Sequence, residues 1–229
     1  DIKVNNDYIE VTSLGYFTKS YQFYALNDRD VTWMSINPNE IETMKEAIDQ
    51  VSGNVLVYGL GLGYFPYMIS LKKDVNKIVI VENDLNIIRL FKENILPQFN
   101  NANKIEIVYI NAHDFKPQQY KFDYAFVDLW HSADDGIKTY INFKKNECKN
   151  IKYLYWLEDS FYALLRRAFV TLISEQYFEE NEPKYNVEKN TFDWLINTYY
   201  TKTKNITISN CDDLDNLLQN NSLLTLIIS

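Results

Sequence analysis

Five short apolar runs that alternate with amphipathic segments constrain the fold of this chain more than any other feature. The amphipathic segments are roughly ten residues long, the length at which a helical period can be recognised. Strands that alternate with helices form parallel sheets with right-handed crossover connections. The sequence therefore predicts an α/β fold with a Rossmann-like, doubly wound, mostly parallel sheet. Its strands are predicted at 55–58, 77–81, 104–110, 122–128 and 152–157.

The segments on either side of this core have a different pattern. Strand-like composition at 8–12 and 21–26 predicts an N-terminal β-hairpin. Asn37-Pro38 opens a helix, with a capping side chain and a proline where the missing N–H costs nothing. Helical spacing returns at 161–175, 192–200 and 212–218, whereas 205–209 resembles an edge strand and 223–228 favours a helix. We expect three regions: a hairpin with a capping helix at 1–52, the Rossmann-like core at 53–160, and a mainly helical extension, packed on the core, at 161–229.

The charge balance and the cysteine count limit the classes of partner. The chain carries 23 basic and 31 acidic residues, a formal net charge of −8, and its basic residues form only short pairs such as Lys72-Lys73. An acidic surface repels a phosphate backbone, so we expect no nucleic acid partner and favour a neutral or cationic small-molecule substrate. Two cysteines are too few for a disulfide framework, which favours the cytoplasm. No apolar run approaches 18 residues, so no membrane partner is expected, and nothing indicates an oligomeric state.

A glycine turn and an acidic residue indicate a ligand site. Gly59-Leu-Gly-Leu-Gly63 lies between a predicted strand and a predicted helix, where backbone can approach a ligand closely. Tyr64 would obstruct a pyrophosphate, which argues against NAD or FAD, and no Lys-Ser/Thr pair marks a triphosphate loop. Glu82 ends the next strand, where a carboxylate can accept hydrogen bonds from both hydroxyls of a ribose. The alternative role of helix capping fits Asp84 better.

Four motifs in this order resemble those of the class I S-adenosylmethionine-dependent methyltransferases: 55–63, 80–82, 110–112 and 122–128. The resemblance implies S-adenosylmethionine as the cofactor and methyltransferase activity on a small molecule. It makes the core the cofactor-binding region and places Asn111 where an adenine-contacting aspartate is usual. The implied cofactor-binding residues are Gly59, Gly61, Gly63, Glu82, Asn83, Asn111, Ala112 and Asp128.

Two alternatives stay open beside the methyltransferase. The apolar run Val55-Leu-Val57 before the glycines is similar to the spermidine-synthase-type aminopropyltransferases, in which an aspartate at the position of Asp128 helps deprotonate the attacking amine. Those enzymes have a second aspartate where this chain has His131, followed by a Gly-Pro pair that is missing here. The other alternative is a non-catalytic protein that binds the cofactor without turnover.

The segment Asp128-Leu-Trp-His-Ser132 is expected to carry specificity, because it ends a strand beside the switch point of the sheet. Asp128 could hold an amine or the amino group of the cofactor, and His131 could act as a base at neutral pH, so these two are the predicted catalytic residues. Trp130 would either face the sulfonium or belong to the core.

Two further features carry weaker hypotheses. Trp33-Met34-Ser35 would either fold over the cofactor or, as we prefer, pack its apolar members under the sheet. An oxygen-rich cluster of Asp128, His131, Asp134 and Asp135 would suit magnesium, but acidic loops also serve solubility, so no metal is predicted.

Overall fold

The computed structural model describes residues 22, 25–28, 31–179, 188 and 191–220. The chain divides into two compact units. The first, here called the sheet unit, contains the residues up to His131 together with Glu147–Trp156. The second, the helical unit, contains Ser132–Asn146 and the residues from Leu157 onward. The division at 52 and 160 that the sequence suggested stays a prediction.

An antiparallel hairpin opens the described part of the sheet unit. Its strands are β1 (Ala25–Asp28) and β2 (Val31–Ser35), with an irregular register between Leu26 and Asn27. The predicted N-terminal hairpin is therefore present, with different strands. The run at 21–26 only overlaps β1, and the run at 8–12 lies outside the described residues. Trp33, Met34 and Ser35 form the end of β2.

Helix α1 (Pro38–Gln50) begins as its sequence predicts. The Asn37 side chain accepts a hydrogen bond from the Glu40 amide at 3.0 Å, and proline occupies the first turn. The helix buries Met44 and Ile48 along one face, in keeping with its amphipathic pattern. It leads directly into the first strand of the central sheet.

The central sheet has five strands, all parallel, in the order β5-β4-β3-β6-β7. Val55 to Tyr58, Ile78 to Val81 and Ala125 to Val127 are buried, which explains why these runs read as continuously apolar. The predicted Rossmann-like α/β fold is confirmed. The strands are β3 (Gly53–Tyr58), β4 (Val75–Glu82), β5 (Ile105–Tyr109), β6 (Tyr124–Val127) and β7 (Lys152–Tyr155).

Two short helices within the sheet unit connect its strands. Helix α2 (Tyr64–Ser70) follows the glycine turn, and helix α3 (Leu85–Leu90) continues as a π-helical turn over Phe91–Ile95. Asp84 caps α3, because its carboxylate accepts hydrogen bonds from the amides of Asn86 and Ile87. The capping role proposed for Asp84 is therefore present.

The helical unit contains α4 (Ala133–Lys145), α5 (Glu158–Glu179), α6 (Phe192–Thr203) and α7 (Cys211–Leu218). Aromatic pairs hold it together: Phe169 stacks on Tyr199 with ring centroids 3.5 Å apart, and Tyr140 on Phe161 at 4.5 Å. The possible edge strand at 205–209 does not form, and 223–228 lies outside the described residues. In the described part of the chain, every helix is too short or too polar to cross a membrane.

Candidate functional site

The carboxyl ends of β3, β4 and β6 meet at one edge of the sheet. Connections from β3 run outward to β4 and β5 on one side, whereas β6 and β7 lie on the other side. Ligands of open parallel sheets bind in the crevice at such a reversal of strand order. The glycine turn, Glu82 and Asp128 follow these three strand ends, so the fold brings together residues that are far apart in sequence.

The glycine loop (residues 59–63) depends on three glycines with positive φ angles. The φ angles are 93° at Gly59, 51° at Gly61 and 77° at Gly63, in a region that side chains disfavour. A Cβ atom on Gly59 would collide with the backbone oxygen of Asp128, and one on Gly63 with the ring of Phe91. The third, on Gly61, would meet the sulfur of Met34, so none of the three glycines can accept alanine without movement.

Amide groups of the glycine loop are engaged in different ways. The Gly59 amide donates to the Val81 oxygen at 3.0 Å, and the Gly63 amide to the Leu60 oxygen at 2.9 Å. The Leu60 amide donates to Oε2 of Glu82 at 3.0 Å, which ties the loop to the end of β4. The Leu62 amide donates to a sulfur, Sδ of Met34, at 3.0 Å.

Glu82 is buried, and both of its carboxylate oxygens accept backbone hydrogen bonds. Oε1 accepts from the amides of Asn83 and Asp84 at 2.7 and 2.9 Å, and Oε2 accepts from Leu60. A carboxylate offers about four acceptor positions, so roughly one remains, on Oε2. The sequence predicts a carboxylate that takes both ribose hydroxyls, whereas this arrangement leaves room for one. The sequence did not predict that Glu82 holds the surrounding backbone, because its three donors are main-chain amides, which every residue type carries.

Three other predicted cofactor residues lie on the surface beside this edge. Asn83 follows Glu82 directly and is exposed. Asn111 is exposed after β5, and its Oδ1 accepts a hydrogen bond from the His113 amide at 2.9 Å, so the side chain folds back on its own loop. Ala112, the residue after Asn111, is partly buried. The side-chain oxygen of Asn111 keeps one of its two acceptor positions for an outside donor.

Asp128 has an unusual environment for a carboxyl group. Its amide donates to the Tyr58 oxygen at 2.9 Å and so continues the ladder between β6 and β3. No group among the described residues donates a hydrogen bond to its partly buried carboxylate. Burial raises the pKa of Asp128 to about 7, and the negative charge of Glu40 adds to the shift. A carboxyl group with this pKa can take or release a proton near neutral pH.

Glu40 belongs to this site, although the sequence indicated only a first-turn acid of α1. Its carboxylate accepts hydrogen bonds from the amide and the hydroxyl of Ser35, at 3.0 and 3.2 Å. Burial raises the pKa of Glu40, while the Ser35 bonds and the nearby His131 partly oppose that shift. The available signal was a glutamate three residues after the helix cap, a position that usually reaches back to the preceding chain.

The other residues of the predicted catalytic segment separate into surface and core. His131 is exposed, and its ring meets that of Trp33 edge to face, with centroids 6.2 Å apart. Trp130 is only 3% exposed and donates from Nε1 to the Trp156 oxygen at 3.1 Å, so it is a core residue and does not face a ligand. Within the helical unit, the Asp135 carboxylate accepts hydrogen bonds from the Ser132 amide and hydroxyl, as a helix cap.

The end of β2 lies over the glycine loop and not under the sheet, where we had expected its apolar residues. Met34 contacts the loop through its sulfur, and Trp33 is 45% exposed. The preferred interpretation of these two residues was therefore wrong. Nothing in the local sequence pattern distinguishes an apolar strand that covers a crevice from one that packs in a core.

Neither a protein-family model nor a curated protein sequence matches the chain. Solved structures with a similar fold include a dimethyladenosine transferase from Plasmodium falciparum, at 19% identity over 56% of this chain and 45% of that one, with a TM-score of 0.39. This chain thus spans less than half the length of that protein. Streptococcus pneumoniae Sp1610, assigned as a tRNA (m1A22) methyltransferase, is 10% identical over 81% of this chain and 98% of its own, with a TM-score of 0.41.

A third similar structure is M. capricolum TrmK in complex with S-adenosyl-homocysteine, at 12% identity over 81% of this chain and 97% of that one, with a TM-score of 0.40. At these identities the likeness concerns the fold alone. The Rossmann-like architecture itself rests on the parallel pairing and strand order of the central sheet. The resemblance to spermidine synthases stays a prediction.

One expectation has to be corrected. The net charge of −8 led us to exclude nucleic acid as a partner. Two of the similar structures carry dimethyladenosine and tRNA in their names, and the exclusion is withdrawn. The physical reason is that net charge averages over the whole surface, while nucleic acid responds to the local potential where it binds.

Proposed function

We propose that the chain is an S-adenosylmethionine-dependent methyltransferase. The observation that carries the proposal is the hydrogen bond from the Leu60 amide to Glu82, which joins the glycine loop after β3 to the acid at the end of β4. Asp128 follows β6, on the other side of β3. This arrangement offers close backbone approach and a buried acceptor at the switch point of the sheet. The four motifs implied these residues as a set, and the contact between the loop and Glu82 supports that prediction.

In this proposal the glycine loop contacts the cofactor and Glu82 accepts one ribose hydroxyl through Oε2. Asn83, Asn111 and Ala112 line the adenosine part. The cofactor supplies a sulfonium-bound methyl group that already has a good leaving group. The protein therefore mainly positions the acceptor and, where needed, removes its proton.

Asp128 is the proposed proton acceptor. Its pKa of about 7 and the missing donors around its carboxylate among the described residues suit this role better than a structural one. His131 is exposed next to the same strand end and is proposed as the second group that contacts the acceptor. Glu40 contributes negative charge, which keeps the Asp128 carboxylate a stronger base than an isolated one.

Calorimetric titration with S-adenosylhomocysteine and S-adenosylmethionine tests the cofactor. The wild type is expected to bind both, and Glu82→Gln to weaken binding at least tenfold, because an amide replaces a charged acceptor. Glu106→Gln is the matched control: Glu106 lies on β5, next to β4, but is exposed in an ion pair with Lys77. If the wild type takes up neither compound, the proposal is wrong.

Transfer of a labelled methyl group to RNA, protein and small-molecule fractions tests the activity. Asp128→Asn is expected to lower transfer about 10²-fold or more, as the loss of a general base does. A preference for decarboxylated S-adenosylmethionine would instead favour the aminopropyltransferase. A protein that binds the cofactor, but in which Asp128→Asn and His131→Ala change transfer to no acceptor, would be a binding protein without turnover.

A further inference from the structure

The end of β2 contacts three different parts of the candidate site through three successive residues. The Trp33 ring meets the His131 ring, the Met34 sulfur meets the Leu62 amide, and Ser35 donates two hydrogen bonds to Glu40. The strand end is thus anchored on either side of Met34. Met34 alone reaches onto the glycine loop.

The Met34 side chain occupies two positions on the glycine loop that a ligand could also occupy. The first is the Leu62 amide, whose donor lies 3.0 Å from Sδ. The second is the space at Gly61, where an added Cβ atom would lie only 2.5 Å from that sulfur. An unblocked amide and a missing side chain are also what a glycine loop offers to a small ligand.

The partner of the Leu62 amide is weak compared with the partners of its neighbours. The amides of Gly59 and Gly63 donate to backbone oxygens, and that of Leu60 donates to a carboxylate. A thioether sulfur is a poor acceptor, and a hydrogen bond to a charged oxygen is roughly twice as strong as a neutral one. An incoming carboxylate would therefore replace the Met34 sulfur as the acceptor of the Leu62 amide.

The methionine side chain can also leave this position at little cost. It has three rotatable bonds and no branch, and it adapts to irregular space. The neighbouring anchors at Trp33 and Ser35 do not depend on where the Met34 side chain points. β2 can therefore stay in place while the thioether swings away.

We propose that Met34 holds the Leu62 amide in the unliganded protein and is displaced when the cofactor's amino-acid carboxylate takes that amide. This inference rests on the proposed function. On this proposal Met34 affects both affinity and specificity. Its side chain competes with ligands that carry the amino-acid part of the cofactor and does not compete with ligands that lack it. 5′-Methylthioadenosine is an adenosyl thioether without the amino-acid part and serves as the probe for that distinction.

The first test compares wild type and Met34→Ala by calorimetry. The Kd for S-adenosylhomocysteine is expected to fall by about two- to tenfold in Met34→Ala, the worth of one modest hydrogen bond. The Kd for 5′-methylthioadenosine is expected to stay within about twofold by the same reasoning. Met68→Ala, which shortens a partly buried methionine on α2, is the control for a general change in stability.

The second test needs no variant. The chain has three methionines, and ¹³C-methyl labelling reports on each of them separately. Saturation with S-adenosylhomocysteine is expected to move the Met34 methyl signal and to leave those of Met44 and Met68 close to their original positions.

An equal or higher Kd in Met34→Ala, or an unmoved Met34 signal at saturation, overturns the displacement of Met34 while the cofactor assignment stands. An equal gain for 5′-methylthioadenosine overturns the carboxylate as the competitor. If neither wild type nor variant takes up S-adenosylhomocysteine, the proposed function fails and this inference fails with it.

Discussion

Strand β3 begins at Gly53 and is followed by Gly59, and each of these glycines faces an aspartate that flanks β6. Both have positive φ angles, 69° and 93°, and at both an added Cβ atom would collide with the aspartate. At the amino end the collision is with the side chain of Asp123. At the carboxyl end it is with the backbone oxygen of Asp128, and the side chain takes no part.

The amino end uses its aspartate as a structural tie. The Asp123 carboxylate accepts a hydrogen bond from the Asn54 amide at 2.7 Å, and the Asp123 amide donates to the Asn54 oxygen at 2.9 Å. The Asp123 oxygen also accepts from the Lys152 amide at 3.0 Å, so this residue joins three strands. Its amide, its backbone oxygen and Oδ2 of its carboxylate all take part in holding the sheet.

The carboxyl end shows the opposite arrangement. Backbone groups make the close contact between Gly59 and Asp128, and the Asp128 carboxylate receives no hydrogen bond from the described residues. It lies in surroundings that raise its pKa to about 7. The same strand pair thus shows how a fold keeps one carboxylate for structure and leaves another available for chemistry.

The largest effect is expected at Gly59. Gly59→Ala places a side chain in a disfavoured φ region and against the backbone oxygen of Asp128, whose amide is bonded to the Tyr58 oxygen, so this oxygen cannot move away easily. We expect a loss of about 3 kcal/mol in the free energy of unfolding, measured by urea denaturation. Shortening the facing residue gives no relief, so Gly59→Ala and Asp128→Ala are expected to be additive. Strong coupling between them would show that the side chain makes the contact.

A smaller loss of stability is expected at Gly53, and there the two substitutions should not be additive. Gly53→Ala displaces the Asp123 carboxylate and breaks its bond to Asn54, at a total cost of about 2 kcal/mol. Asp123→Ala alone removes the same bond and costs about 1 kcal/mol. The double variant loses this bond only once, so a double-mutant cycle should show about 1 kcal/mol of coupling. Additive losses at this end would contradict the side-chain contact.

The sequence predicted the parts of the fold that rest on local signals. The five strands, the cap at Asn37 and the cap at Asp84 follow from apolar runs and from side chains that act within a few residues. The glycine loop followed from its position between strand and helix. These features depend on neighbours in sequence, so a single chain shows them.

The rest of the site depends on contacts between distant residues. Met34 and Leu62 are 28 positions apart, and the donors that occupy Glu82 include the amide of Leu60, 22 positions away. The apolar character of Met34 and the acidic character of Glu82 predict neither contact, because the same residue types serve equally well in a core. Glu40 differs: its contact with Ser35 spans only five positions and had a local signal, whereas its effect on Asp128 joins residues 88 positions apart.

The smallest effect on stability is expected from Asp128 and depends on pH. The unfolded carboxyl ionises near pH 4, whereas the folded carboxyl keeps its proton up to about pH 7. Between these values the unfolded state binds fewer protons, so this group makes the folded state less stable as pH rises. Asp128→Asn removes the effect. Relative to wild type, the variant should therefore gain stability between pH 5 and 8. The expected gain is only on the order of 1 kcal/mol, because water screens the charge of a partly exposed carboxyl.

Glu40→Gln separates the two causes of this shift. The larger cause, burial of Asp128, is unchanged in the variant, while the smaller one, the negative charge of Glu40, is removed. The midpoint of the pH-dependent stability change should therefore move to lower pH but stay above that of an exposed aspartate. Urea denaturation at a series of pH values measures the midpoint in wild type and variant. A midpoint that does not move would mean that the charge of Glu40 does not affect Asp128 and that Glu40 only holds Ser35. The carboxyl end would then contain one acid with a shifted pKa that acts alone, and not two acids that interact.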